Sequence, residues 1–214
     1  MKPWMLIAVV LFAGCAKPAA SDDAQSSAPA ASKEATYEPQ VGDVVFQSLP
    51  HGTLVNTIEG ATQSPLSHCG LVAHGPKGWV VVEANGSVKE TKFDRWIAQG
   101  RGGNFSAYRF AEKYADKIPQ MVAAARKRLG KPYDLRYEFD DRALYCSELV
   151  FKAFQEATGE ECGRVVTLGE LNWQPYEKFI RFLDGGGLPL ERRMITPKHL
   201  SEAEQLTPVF RKGL

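Results

Sequence analysis

An α+β domain, with a small antiparallel sheet packed on a few helices, is what this sequence predicts. Short β-branched and aromatic runs recur between turn residues over the first half of the chain. The links between them are too short for the crossovers that parallel strands need. Two later stretches, 118–129 and 146–157, instead carry apolar residues at helical spacing.

Gly42-Asp43 reads as a turn into the strand Val44-Val45-Phe46-Gln47, and Cys69 to Ala73 is a second strand. His74-Gly75-Pro76-Lys77-Gly78 has turn composition, and the run Trp79 to Ala84 follows it. Asn85-Gly86 closes that run, Ser87 to Thr91 returns, and Phe105 to Phe110 adds another strand. Ile118 to Leu129 forms a helix with Met121, Val122, Ala125 and Leu129 on one face, stopped by Gly130 with Pro132 beyond. A second helix begins near Cys146, carries Leu149, Val150, Ala153, Phe154 and Ala157 on its apolar side, and ends at Thr158-Gly159. From Glu160 the pattern weakens. Gly185-Gly186-Gly187 is a loop without the Lys-Ser/Thr of a phosphate site, and Pro197 and Pro208 punctuate the tail.

The start of the chain is of another kind. Met1-Lys2 is positive, Met5 to Phe12 is apolar but too short to span a bilayer, and Ala13-Gly14-Cys15 follows. This is the pattern of a secretory signal. Residues 16–40, rich in Ala, Ser, Pro, Asp and Gln, cannot bury enough surface to offset ordering and read as a flexible tether. The expected organisation is a signal over 1–14, a tether over 15–40 and one domain over 41–214, with no internal repeat. The 26 basic and 25 acidic residues nearly cancel, and nothing in them calls for a nucleic-acid partner.

The residues that carry chemistry are a cysteine, a histidine and a glutamate. Cys146 falls in the first turn of its helix, where unpaired backbone N–H groups stabilise a thiolate and the oxyanion it generates. His68 opens a strand at a loop junction, where an imidazole reaches a cleft and serves as base once its second nitrogen is held. Glu83 interrupts a buried run, on the face of Trp79 and Val81; such a carboxylate is costly unless paired. If the two strands pair through the short turn, Glu83 lies beside His68 and is the acceptor it needs. Cys69 reads as a small buried hydrophobe pointing away from His68, and a Cys69–Cys162 bridge is neither favoured nor excluded. Tyr133 either lines the cleft and binds substrate or is a core aromatic. His51, His74 and His199 have no partner spacing, and no metal-ligand motif or cofactor site is expected.

Gly130-Lys131-Pro132-Tyr133 with Tyr145-Cys146-Ser147-Glu148-Leu149-Val150 resembles the Gly-x-Pro-Tyr and Asp-Cys-Ser-Gly-Leu-Val segments of NlpC/P60 cell-wall peptidases. Gly42-Asp43-Val44-Val45-Phe46 and His68-Cys69-Gly70-Leu71-Val72 resemble their remaining segments. In that family the cysteine segment comes first, whereas here it comes last. The arrangement is therefore similar to the permuted papain-fold amidases of the YaeF/YiiX type, over roughly Val41 to Gly159. The resemblance implies a permuted papain-like fold, Cys146 as nucleophile, His68 as base and Glu83 as its orienting residue. Tyr145 and Glu148 depart from the non-permuted motif, so a peptidoglycan substrate does not transfer with the fold. Ala-Gly-Cys ending at Cys15 resembles a bacterial lipobox, implying lipidation there and attachment to the periplasmic face of the outer membrane. These readings together point to a cysteine amidase acting on cell-wall peptides. A lipid acyl hydrolase or acyltransferase with the same triad, and a non-catalytic cell-envelope binding module, are the alternatives.

Overall fold

The computed structural model of the protein describes residues 36–214; the expected signal and the expected lipidation at Cys15 lie outside the described residues. Among the described residues are eight strands: β1 Val44–Gln47, β2 His68–Gly75, β3 Gly78–Asn85, β4 Ser87–Lys92, β5 Phe105–Phe110, β6 Val166–Thr167, β7 Arg193–Met194 and β8 Leu206–Lys212. Six helices join them: α1 Thr53–Thr62, α2 Phe93–Gln99, α3 Ile118–Arg126, α4 Cys146–Thr158, α5 Glu177–Leu183 and α6 Pro197–Ser201. The main sheet runs β4-β3-β2-β1-β5-β8, antiparallel throughout, and β6 pairs with β7 apart from it. Among the described residues no helix is long and apolar enough to cross a membrane.

The sheet is covered on both sides, and strand alternation sorts its residues into two cores. Val44, Phe46, Cys69, Leu71, Val82 and Ala84 pack with α3 and α4. Val45, Val72, Val81 and Ala107 point the other way, against Trp96 of α2 and Phe105. All four residues of β1 are buried, as a strand covered on both faces requires. Within the first core, Leu149, Val150, Phe151 and Phe154 of α4 are all but fully buried, each burial stabilising by about 1.5–3 kcal/mol.

The strands expected between 44 and 110 are present, some longer by one to three residues. Helix α4 ends as expected: Gly159 takes φ +77°, and its N–H donates to the carbonyl of Gln155. Helix α3 ends earlier, at Arg126, and Leu129 is exposed. The N–H of Gly130 donates to Val88, which turns the chain onto β4 before another helical turn forms. Pro208 lies inside β8, opposite Tyr108, instead of breaking the tail. As an edge strand, β8 tolerates a residue with no N–H to give.

Candidate active site

Cys146 is the first residue of α4 and is 1% exposed. Its helix N-terminus is pinned to the segment just past β7: the Ser147 hydroxyl donates to the Ile195 carbonyl (2.8 Å), and the Ile195 N–H donates to the Tyr145 hydroxyl (3.1 Å). The Tyr145 N–H donates to the Glu148 carboxylate (3.4 Å), which also meets Lys152 at 2.9 Å. The two departures from the cysteine motif therefore anchor the helix start. Burial outweighs the Lys152 contact and pushes the Glu148 carboxyl up to about 8.

His68 opens β2 opposite Gln47, 2% exposed, and Glu83 on β3 is fully buried. His68 Nε2 lies 2.5 Å from Glu83 Oε2, which leaves Nδ1 for the thiol. Local sequence makes this reach possible. The register Leu71↔Val82 sets Gly70 next to Glu83, on the face His68 uses. A Cβ at Gly70 would stand 2.3 Å from Val81 and 3.3 Å from the Glu83 Cβ, so the bare glycine leaves room for the carboxylate to cross to the imidazole. The Thr91 hydroxyl donates to Glu83 Oε1 (2.5 Å) and the Gln99 amide to Oε2 (3.0 Å). Trp96 covers the histidine, ring centres 6.2 Å apart.

The charges follow from these contacts. Burial opposes a charge on His68, yet hydrogen bonds to Cys146 and Glu83, with their negative charges, raise it to about 9. Cys146 is held well below the usual thiol range, first by a hydrogen bond from the Cys69 thiol, against its own burial, then by the bond and charge of His68. Burial raises the Glu83 carboxyl, but His68, Thr91 and Gln99 together bring it below its ordinary value. These contacts favour the thiolate of Cys146, the imidazolium of His68 and the carboxylate of Glu83.

Cys69 is buried, as its apolar surroundings foretold, but it is more than filler. Burial and the adjacent Cys146 push its thiol up, so it stays an S–H donor beside Cys146. Cys69 and Cys162 are both free thiols. Tyr133 is half-buried and joins Ser67, His68, Asn85, Leu54 and Ile58 in lining a cleft. Its hydroxyl lies 3.1 Å from that of Tyr137, and burial keeps it neutral. The other histidines have local roles: His51 contacts Arg101, His74 stacks on Trp79 at 4.0 Å, and His199 meets the Thr196 hydroxyl at 2.7 Å. Sequence reasoning missed Thr91 and Gln99. Thr91 lies on the anticipated β4 strand, whereas α2, which carries Gln99, was not anticipated.

An apolar pocket adjoins the cleft and shares Leu54, Ile58 and Leu135 with it. It continues past Leu168, Ile180 and Met194.

The profile of the family described as "Permuted papain-like amidase enzyme, YaeF/YiiX, C92 family" matches residues 38–210. The chain is 33% identical over 179 residues to a protein of Escherichia coli (strain K12) named "Uncharacterized protein YiiX", covering 82% of this chain and 88% of the relative. A solved structure entitled "Crystal structure of metalloprotein yiiX from Escherichia coli O157:H7, DUF1105" is similar with a TM-score of 0.76 and 32% identity. It covers 82% of this chain and 99% of that one. Among the described residues no group of three or more His, Cys, Asp or Glu side chains is placed to hold a metal ion, so the residues here do not fit the metal in that title.

Proposed function

The chain belongs to the permuted papain-like amidase family, YaeF/YiiX, C92, and from that premise we propose that it is a cysteine hydrolase cleaving amide bonds in cell-wall peptides. Cys146 is the nucleophile, His68 the acid and base, and Glu83 the residue that orients and charges His68. One observation carries this reading: a thiol at a helix start, favoured as thiolate, beside an imidazole whose far nitrogen is 2.5 Å from a buried carboxylate.

In this mechanism Cys146 Sγ adds to the amide carbonyl carbon, and the first-turn N–H groups of α4 face the oxyanion. The C–N bond breaks as His68 hands its proton to the leaving amine. Water then adds to the thioester, His68 takes its proton, and the C–S bond breaks to release the acid and restore the thiolate beside the imidazolium. Tyr133, neutral and in the cleft wall, offers a hydrogen bond to substrate. The lipobox-like Cys15 supports tethering by lipid at the periplasmic face of the outer membrane, where such peptides are found.

A second reading, hydrolysis or transfer of a lipid acyl group by the same three residues, is favoured by the apolar pocket that opens off the cleft. Incubation of the protein and its Cys146→Ala variant with cell-wall peptides and with N-acyl and O-acyl lipids, read by mass spectrometry, separates the two. Release of a free amine from cell-wall peptides by the parent alone supports the first. Turnover of acylated lipids alone replaces it with the second. Equal turnover by both proteins defeats the triad.

A further inference from the structure

Glu83 is fully buried, yet each of its oxygens is engaged by a group that belongs to neither the thiol nor the imidazole. Thr91 comes from β4 and Gln99 from the last turn of α2. A lone carboxylate on a flexible side chain has a broad terminal torsion, so one bond to His68 does not by itself fix which oxygen faces the imidazole. Here Oε1 is taken by Thr91, so Oε2 faces His68, and Gln99 holds that same oxygen from a second direction.

The backbone around Gln99 is built for this contact. Gly100 follows it immediately, and a Cβ there would stand 2.2 Å from Gln47 Oε1, with Gln47 directly across from His68. The bare glycine lets the end of α2 lie against the Gln47 side chain of β1 without displacing it, and from there the Gln99 amide reaches the carboxylate. Resting on the Cys146–His68–Glu83 reading, we infer that Thr91 and Gln99 are positioning residues that hold Glu83 ionised and aimed, and thereby set the charge state of His68 and of the thiol.

The titratable groups facing His68 are Cys146 from α4 and Glu83 from β3, and Cys69 of β2 faces Cys146 in turn. The test uses the full chain in four forms: parent, Thr91→Val, Thr91→Ser and Gln99→Met. The His68 ring is followed by NMR titration, with His68→Ala to assign its signal. Alkylation of Cys146 by iodoacetamide is followed against pH by mass spectrometry of its peptide, and thermal melting checks the fold.

Loss of a donor weakens the carboxylate's hold on the imidazolium. Thr91→Val and Gln99→Met should therefore lower the His68 midpoint by about one pH unit and raise the acid limb of Cys146 alkylation. Thr91→Ser, which keeps the hydroxyl, should restore both. A purely structural role would move the melting temperature and leave both midpoints in place, and that result overturns the inference. So does failure of serine to rescue. If Thr91→Val does not fold, Gln99→Met, on a different element, decides alone. A parent protein in which His68 and Cys146 titrate independently sinks the triad itself; a coupled parent with unmoved variants sinks only the positioning role.

Discussion

The two faces of the six-stranded sheet support one cleft by different means. On the face covered by α3 and α4, the helix that carries the sulfur is held mainly by packing of Leu149, Val150, Phe151 and Phe154, with the Ile195 bonds squaring its first turn. On the face covered by α2, the carboxylate is placed by three donors, His68, Thr91 and Gln99, amid the aromatic rings of Trp96 and Phe105. Packing is non-directional and summed over many atoms, whereas hydrogen bonds are few and geometric. Damage to one face should therefore appear as lost stability, and damage to the other as lost chemistry.

The largest expected effect removes the group both faces serve. Cys146→Ala should lower amide turnover by roughly 10⁴-fold or more while the protein still folds, measured by product formation and thermal melting. Glu83→Gln comes next, with a fall of about 10²–10⁴-fold in kcat at near-normal stability, because a neutral amide no longer supplies the charge that holds His68 protonated and oriented. On the packing face, Leu149→Ala should cost about 2–5 kcal/mol in denaturant unfolding, while the kcat of the remaining folded protein holds within a few fold. If Leu149→Ala instead loses activity at full stability, the division between faces is wrong.

Two smaller effects depend on pH. With His68 raised to about 9 and proposed as the acid in the first step, activity should fall as pH rises through about 9, with Glu83→Gln moving that limb to lower pH. Glu148 works the other way round. Its carboxyl is at about 8 in the folded protein against an ordinary 4.5, so folding takes up a proton between those values. Its contribution is fully present below about 4.5 and is lost as pH rises to about 8. Glu148→Gln should flatten the pH dependence of the melting temperature across that window; an unchanged slope removes the argument.

Much of the sulfur-bearing face was legible in the sequence, because helical periodicity from Leu149 to Ala157 and the Gly159 stop are local signals. So were the strands with His68 and Glu83, and the short turn at 74–78 that brings them together. The register then follows from strand pairing alone. What stayed hidden is long-range. Helix α2 is only seven residues, with just Trp96 buried, so it has no apolar stripe to read. Strand β8 contains Pro208 and earns its place only by pairing with β5, a hundred residues earlier in the chain. Cys69 read correctly as buried, but its S–H bond to Cys146 depends on how α4 meets β2, which no local pattern encodes.

Ile195 touches the chain on both sides of Cys146, through its own N–H and carbonyl, and the Ser147 partner lies 48 residues earlier. A ribosome therefore finishes the reactive trio well before it finishes the bracket that squares the helix to the cleft. A nascent chain that has reached residue 146 holds all three side chains without that bracket, so the proposed chemistry becomes possible only once Ile195 has been added.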